Sequence, residues 1–316
     1  MPSLRVLGLV ISIAATNSGC DSSTSPAPET PPSASAPASA PAPVPPLVEP
    51  LPAPTPPTRI PVAFVVMPGA EVVDFAGPWG VFEYVFLPDH EEPVFQLFTV
   101  SEKSEPVKVS GGMTIVPDYT FADAPMPKVI VVPAQNDPTP AELEWLRRAS
   151  KSTDVTMSVC NGAFVLGEAG LLDGKEATAH HNAHGLFAAT FPEVRLRRGA
   201  RFVDAQGVST AGGLTSGIDL ALHTVERYFG RAVAEHTATA LEYQGTGWMD
   251  PDSNVAFANK PVSTPGHPIC PVCEMEVDED SAQVTHRGET IRFCSAACQE
   301  TFAKYPERFV GSDEDE

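Results

Sequence analysis

The sequence predicts an α/β sandwich, a mostly parallel sheet covered by helices on both faces, followed by a small cysteine-rich unit. Three observations carry this. Continuous apolar runs such as 61–67 (PVAFVVM) and 129–133 (VIVVP) alternate with helix-like stretches, as strands buried on both faces do. At 155–172 a β-rich run ends at Cys160 and passes through small residues into an apolar, helix-like segment. Beyond residue 266, the pairs Cys270/Cys273 and Cys294/Cys298 stand roughly twenty residues apart.

Taken in order, residues 1–20 read as an export signal. Arg5 gives a thin basic start, and the apolar run 6–15 is too short to span a bilayer. Ser18-Gly19-Cys20 resembles the end of a bacterial lipoprotein cleavage site, which implies that Cys20 becomes a lipidated N-terminus. Asn17 departs from the apolar residue preferred there, and an ordinary cleaved secretory peptide is the alternative. The expectation is an exported, membrane-anchored lipoprotein, in the periplasm or at the cell surface, with the membrane as a partner through the anchor. Residues 21–59 are rich in Pro and Ala and cannot bury a core. As extended polyproline at about 3.1 Å per residue, they form a tether on the order of 100 Å long.

The main domain is expected over 60–245. Strands are predicted at 61–67, 94–100 and 129–133, at the elbow 155–159, in a short piece at 177–179, and as two strands about Gly207 within 202–210. Helices are predicted from Gly77-Pro78 to about Phe86, with proline in the first turn, at 140–149 with Thr139 as cap, at 182–191, at 216–229 and at 232–243. Gly111-Gly112 marks a hairpin-like turn. In such a sheet, ligands bind at the carboxyl ends of the strands, where Asp74 and Cys160 would lie. Residues 246–266, mixed Gly, Asp, Asn, Ser and Pro, read as a second linker.

The formal charge is −20, from 20 basic and 40 acidic side chains. Such a chain repels phosphate backbones, so nucleic acid is not expected as a partner.

Strand, sharp turn, helix is the architecture of a nucleophile elbow. Gly162 and Ala163 leave the turn room, and free N–H groups at the helix start favour a thiolate at Cys160. A buried core cysteine is the competing reading. The blocks 158–163 (SVCNGA), 168–180 (EAGLLDGKEATAH), 74–82 (DFAGPWGVF), 128–133 (KVIVVP) and 210–223 (TAGGLTSGIDLALH) resemble the DJ-1/PfpI superfamily. The nearer likeness is to isonitrile hydratases and to the amidotransferase-like halves of AraC-type regulators, whose DNA-binding helices do not follow here. The resemblance covers roughly 60–245 and implies a flavodoxin-like sandwich. By position it makes Cys160 the reactive cysteine and Asp74 an acid that relays a proton; a helix cap is the plainer role for Asp74. It places His180 near the cysteine and His181 at the pocket wall, although packed histidines would serve equally. Asn161 stands where hydratases often carry Thr, and Pro133-Ala134-Gln135 where a Pro-Gly-Gly-like turn is usual. Backbone N–H groups at Ala134, Gln135 and Asn161 would form an oxyanion hole. Family members often dimerise, so a homodimer is expected, and no cofactor is expected in this domain.

Residues 267–310 resemble the YHS domain, including 270–277 (CPVCEMEV) and 305–309 (YPERF), with Glu274-Met275 where Gly-Met is frequent. A unit this short needs a staple. Cys270, Cys273, Cys294 and Cys298 would hold one tetrahedral ion, zinc or copper by the softness of sulfur. Two disulfides are the alternative. His267 and His286 are weaker ligand candidates, and 311–316 is a solvated acidic tail.

Three functions follow as expectations. One is a cysteine-dependent hydratase or hydrolase of a small electrophilic molecule with an attached metal-binding module. The second is a redox or stress sensor whose partner is an oxidant. The third is a metal-handling lipoprotein on a degenerate scaffold.

Overall fold

Successive side chains of a strand face opposite ways, and in β1 (Ile60–Val65) both sets are apolar. Ile60, Val62 and Phe64 enter one core and Ala63 and Val65 the other, so the strand is walled on both faces. The computed structural model describes residues 49–53, 58–88, 90, 92–278 and 280–309. The export signal with Cys20, the tether up to residue 48 and the acidic tail lie outside the described residues.

After β1 come α1 (Val72–Glu83), β2 (Phe95–Ser101), the small hairpin β3 (Val107–Lys108) and β4 (Thr114–Ile115), then β5 (Tyr119–Thr120), β6 (Val129–Val132) and α2 (Pro140–Ala149). The elbow follows as β7 (Val155–Val159) and α3 (Gly162–Glu168). Next are β8 (Glu176–Ala177), α4 (His184–Thr190), β9 (Arg195–Leu196), β10 (Phe202–Ala205) and β11 (Val208–Ala211), then α5 (Ser216–Phe229) and α6 (Arg231–Ala240). Seven strands form one sheet in the order β10-β11-β7-β6-β1-β2-β5. Neighbours are parallel except β10 and β11, which join through Gln206 and Gly207, both at positive φ as a two-residue hairpin needs. One core lies under α1, α5 and α6, the other under α2, α3 and α4. The chain runs from β1 to β2 on one side, then crosses to β6 on the other. That reversal opens a crevice at the carboxyl ends of β1 and β6.

Helix α1 begins at Val72, not at Gly77-Pro78, and ends at Glu83 rather than near Phe86. Pro78 lies inside it, where its missing N–H removes the bond to the carbonyl of residue 74. The helix holds because Phe75, Pro78, Val81 and Phe82 line one buried face. Thr139 caps α2 by accepting from the N–H of Glu142 at 3.2 Å.

The stretch 246–258, composed like a linker, lies on the domain. Trp248 is buried, with the Arg231 guanidinium 4.8 Å from its ring centre. The Pro251 carbonyl accepts from the N–H of Arg201 at 2.6 Å. The cysteine unit follows as a hairpin, β12 (Ala282–His286) and β13 (Glu289–Phe293), and α7 (Ala296–Lys304), around Val272, Val277, Phe293 and Phe302.

A Cβ added at Gly162 would sit 2.2 Å from the Val132 carbonyl oxygen and 2.8 Å from that of Pro133. Both are backbone atoms and neither can swing aside. Gly162→Ala should destabilise the protein by about 3 kcal/mol, at the upper end of overpacking costs, measured as a lowered urea midpoint at unchanged m-value.

Candidate active site and candidate metal centre

The elbow brings Cys160 to the end of β7 with φ +58, a left-handed conformation rare outside glycine. Its N–H donates to the carbonyls of Gly212 at 2.9 Å and Ala211 at 3.2 Å, tying the turn to the end of β11. The side chain is nearly enclosed, and its sulfur accepts from the N–H groups of Asn161 and Leu214. Leu214, at φ +44, was not expected at the site; it belongs to the glycine-rich turn that the sequence marked.

Asp74 is fully buried in the first turn of α1. It is not the helix cap; Glu71 holds that position, without a side-chain capping bond. Asp74 Oδ2 accepts from the N–H of Ala134 at 2.9 Å, and the Ala134 carbonyl accepts from the N–H of Glu71 at 2.8 Å. Asp74 Oδ1 is buried with no hydrogen-bond partner. The Ala134 N–H therefore serves Asp74 and not an oxyanion. Gln135 turns away to the buried Glu142, donating from Nε2 to its two oxygens at 2.7 and 2.9 Å. Of the expected oxyanion donors, the N–H of Asn161 reaches the sulfur together with that of Leu214, the N–H of Ala134 is taken by Asp74, and the N–H of Gln135 has no hydrogen bond among the described residues.

The expected thiolate is overturned. Burial, and then the charge of Asp74, push the Cys160 thiol up to about 12, outweighing the two N–H donors. Helix α3 spans only seven residues, which limits what its dipole can offset. Burial pushes Asp74 up to about 7 against the pull of the Ala134 N–H, with the charge of Glu71 adding to the rise. Near neutrality the pair is thus a thiol beside a half-ionised acid. Burial also pushes Glu142 up to about 7, opposed by the Gln135 bonds.

A cavity of about 250 Å³ lies beside the glycine-rich turn; Leu214 lines it, and Cys160 and Asp74 do not. Its wall includes Leu214, His180, His181, Arg201, Asn254 and Phe257. His180 lies against Gly213, where a Cβ would come 2.6 Å from its Cδ2. Its Nδ1 accepts from the N–H of Asn182 at 3.2 Å, and no hydrogen bond joins it to Cys160 among the described residues. His181 stacks between His180 and Phe257, with ring centres 4.4 and 4.0 Å away. Burial lowers the pKa of both histidines, so they face the cavity mainly as neutral rings. Arg201 bonds Asp219 at 2.6 Å and Thr215 at 3.0 Å. Arg201, Asn254 and Phe257 escaped the sequence reading because long-range pairing leaves no local pattern.

In the cysteine unit the four sulfurs of Cys270, Cys273, Cys294 and Cys298 lie within 4.8 Å of one another, and all four are free thiols rather than disulfides. Cys273 and Cys294 sulfurs are 3.2 Å apart, Cys294 and Cys298 3.5 Å. A tetrahedral ion with Zn–S of about 2.3 Å needs sulfurs about 3.8 Å apart, so the donor set fits. Cys270 sulfur also accepts from the N–H groups of Val272, Cys273 and Cys294, and Ser295 caps α7 by accepting from the N–H of Cys298 at 3.3 Å. Neither histidine joins the cluster: His267 pairs with Glu276 at 2.5 Å, and His286 packs edge-on against Phe302.

Two outcomes test these sites. Between about pH 4 and 7, native Asp74 holds a proton that the unfolded chain, with its ordinary 3.8, has lost, so stability falls as pH rises through that window. Asp74→Asn should gain on the parent across it, from near zero at pH 4 to a ceiling on the order of 4 kcal/mol at pH 8, read from denaturation midpoints. At the second site, cobalt(II) should bind at one ion per chain with the visible absorption of tetrahedral thiolate ligation. Any one Cys→Ser change among the four should weaken binding by roughly 100-fold or more.

Residues 61–227 match the DJ-1/PfpI family. The chain is 33% identical to an isonitrile hydratase of Pseudomonas putida over 58% of its own length and 78% of that protein. It is 28% identical to the HTH-type transcriptional regulator CdhR of Pseudomonas aeruginosa, over 54% of this chain and only 51% of the regulator. The fold resembles a ThiJ/PfpI family protein from Pseudomonas syringae, at TM-score 0.53 and 27% identity, over 60% of this chain and 76% of that one. It also resembles DJ-1beta of Drosophila melanogaster, at TM-score 0.51 and 18% identity, over 60% of this chain and all of that one, a likeness of fold alone. The chain therefore belongs to the DJ-1/PfpI family.

Proposed function

We propose that this is a cysteine-dependent enzyme that hydrates or hydrolyses a small electrophilic molecule, anchored to a membrane through Cys20 and carrying a YHS-like module that binds zinc or copper. The observation that carries the enzymatic reading is the split of Asp74. One oxygen is pinned by Ala134, the other is buried and unpartnered, and the charge of the carboxyl acts on the Cys160 thiol. A carboxylate held in this way can move a proton without reorienting.

In this reading Cys160 attacks as it loses its proton, with no standing thiolate. Sulfur bonds to the electrophilic carbon, and Asp74 takes the S–H proton and passes it to the atom that receives the displaced electron pair. Water then attacks the same carbon; Asp74 accepts a proton from the water and returns it to the departing sulfur. The N–H groups of Asn161 and Leu214 hold the sulfur's charge as it develops. The likeness to an isonitrile hydratase supports hydration, and Asn161 in place of Thr shifts the expected substrate away from that enzyme's own. The metal-handling reading stands second, favoured by how firmly the thiol is held neutral. The same feature weighs against a peroxide sensor, which needs a low-pKa, accessible sulfur.

Turnover of small isonitriles, nitriles and amides, compared between the parent and Cys160→Ser, tests the reading. A drop of at least about 100-fold is expected. Equal rates would leave the metal module as the functional part. Iodoacetamide alkylation of Cys160 should be slow at pH 7 and rise with pH, and Asp74→Asn should speed it on the order of threefold to tenfold at pH 9 by removing the opposing charge. Intact mass of protein from membranes should show lipid on Cys20, and Cys20→Ser should release the protein to the soluble fraction.

A further inference from the structure

Glu274 follows the ligand pair Cys270/Cys273 with φ +64, a conformation suited to glycine. Its side chain is almost buried, and both carboxylate oxygens accept from Arg198 at 2.6 Å. This is a bidentate pair between residues 76 positions apart. Beside it, α4 presents Gly185, where a Cβ would lie 2.5 Å from the Val272 carbonyl oxygen and 2.8 Å from Glu274 Cγ. Leu186, one residue on, packs into the core of the cysteine unit. The turn between the first two ligands is therefore seated backbone-to-backbone on the start of α4.

That end of α4 also carries the cavity wall. His184 opens the helix, lines the cavity, and donates from Nε2 to the Ala179 carbonyl at 3.1 Å. His180 and His181 precede it by a single turn. On the other flank, Arg198 leads directly into Gly199 and Ala200, which also line the cavity. Glu274 thus grips the two segments that frame the histidines.

We propose that the cysteine unit is an intramolecular brace for the cavity. An ion closing the Cys270/Cys273 turn holds 272–274 against Gly185 and Arg198, and that contact keeps the histidine wall in place. Without the ion the four thiols no longer fix the turn, Glu274 leaves its unfavourable backbone state, and α4 loosens. The idea rests on the metal part of the function proposed above and not on the chemistry of Cys160.

Hydrogen exchange read by mass spectrometry tests it on the full chain, zinc-loaded and then stripped with a chelator. Stripping should raise exchange rates across 179–198 by tenfold or more while leaving β1 and β6 unchanged. Glu274→Gly relieves the strained backbone, so it should fold and keep one zinc, yet exchange at 179–198 as the stripped parent does. Unaltered protection at 179–198 after stripping, or full protection in zinc-loaded Glu274→Gly, overturns the brace. Turnover of the same isonitriles, nitriles and amides by the parent and by Cys160→Ser separates the two ideas. Metal-dependent exchange with equal turnover in the two proteins supports the brace and sinks the catalytic reading. Metal-independent exchange with turnover lost in Cys160→Ser does the reverse.

Discussion

The first residue of α3 presses its backbone onto the carboxyl end of β6, and the surroundings of the cysteine follow from that contact. With only hydrogen on Gly162, the helix starts against the carbonyls of Val132 and Pro133. The chain can enter the helix so close to the sheet only through a reversed residue, and Cys160 is that residue. Such a conformation costs about 1–3 kcal/mol and persists because neighbours over-determine it. Here those neighbours are the two carbonyls at the end of β11. The same contact fixes the 133–135 turn, and with it the N–H that holds Asp74.

Two ionisable groups are then buried near one another, and the charge of Asp74 makes a thiolate at Cys160 harder to carry. The fold gives up stability to keep Asp74 buried with one oxygen unpartnered. That kind of sacrifice is concentrated at functional sites. It also changes the character of the proposed nucleophile: in that reading, reactivity comes from a base near a thiol, not from a thiolate stored in advance. A second buried acid, Glu142, sits on the far side of the same turn and is clasped by Gln135. The turn therefore lies between two carboxyls that both titrate near neutrality.

What was legible in the sequence was whatever depends on neighbours in the chain. Thr139 as cap, the β10–β11 turn about Gly207, the bounds of α5 and the strand-to-helix passage at Cys160 all rest on local chemistry. The start of α1 was misplaced because Pro78 reads as a first-turn residue, whereas the buried face of the helix overrides it. The ionisation of Cys160 was misjudged because local sequence shows a helix N-terminus but not how deeply the sheet and α1 enclose the sulfur. Ala134 was placed in the right turn with the wrong duty, since its partner, Asp74, is decided by tertiary packing. The four cysteines were the most legible feature, because short paired spacing already limits where the sulfurs can go.

Composition marked 246–266 as the seam between two units, but packing puts the seam elsewhere. Trp248, Asn254 and Phe257 lie beyond residue 227, where the family match ends, yet one plugs the flank of α6 and the other two wall the cavity. A chain cut at residue 245 would lose the ring that covers His181 and the carbonyl that receives the N–H of Arg201. The DJ-1/PfpI half and the cysteine-rich half are thus not separable beads on a string. Recombining either with a new partner would have to carry this strap along, and a protease that found it would open the cavity before it released the module.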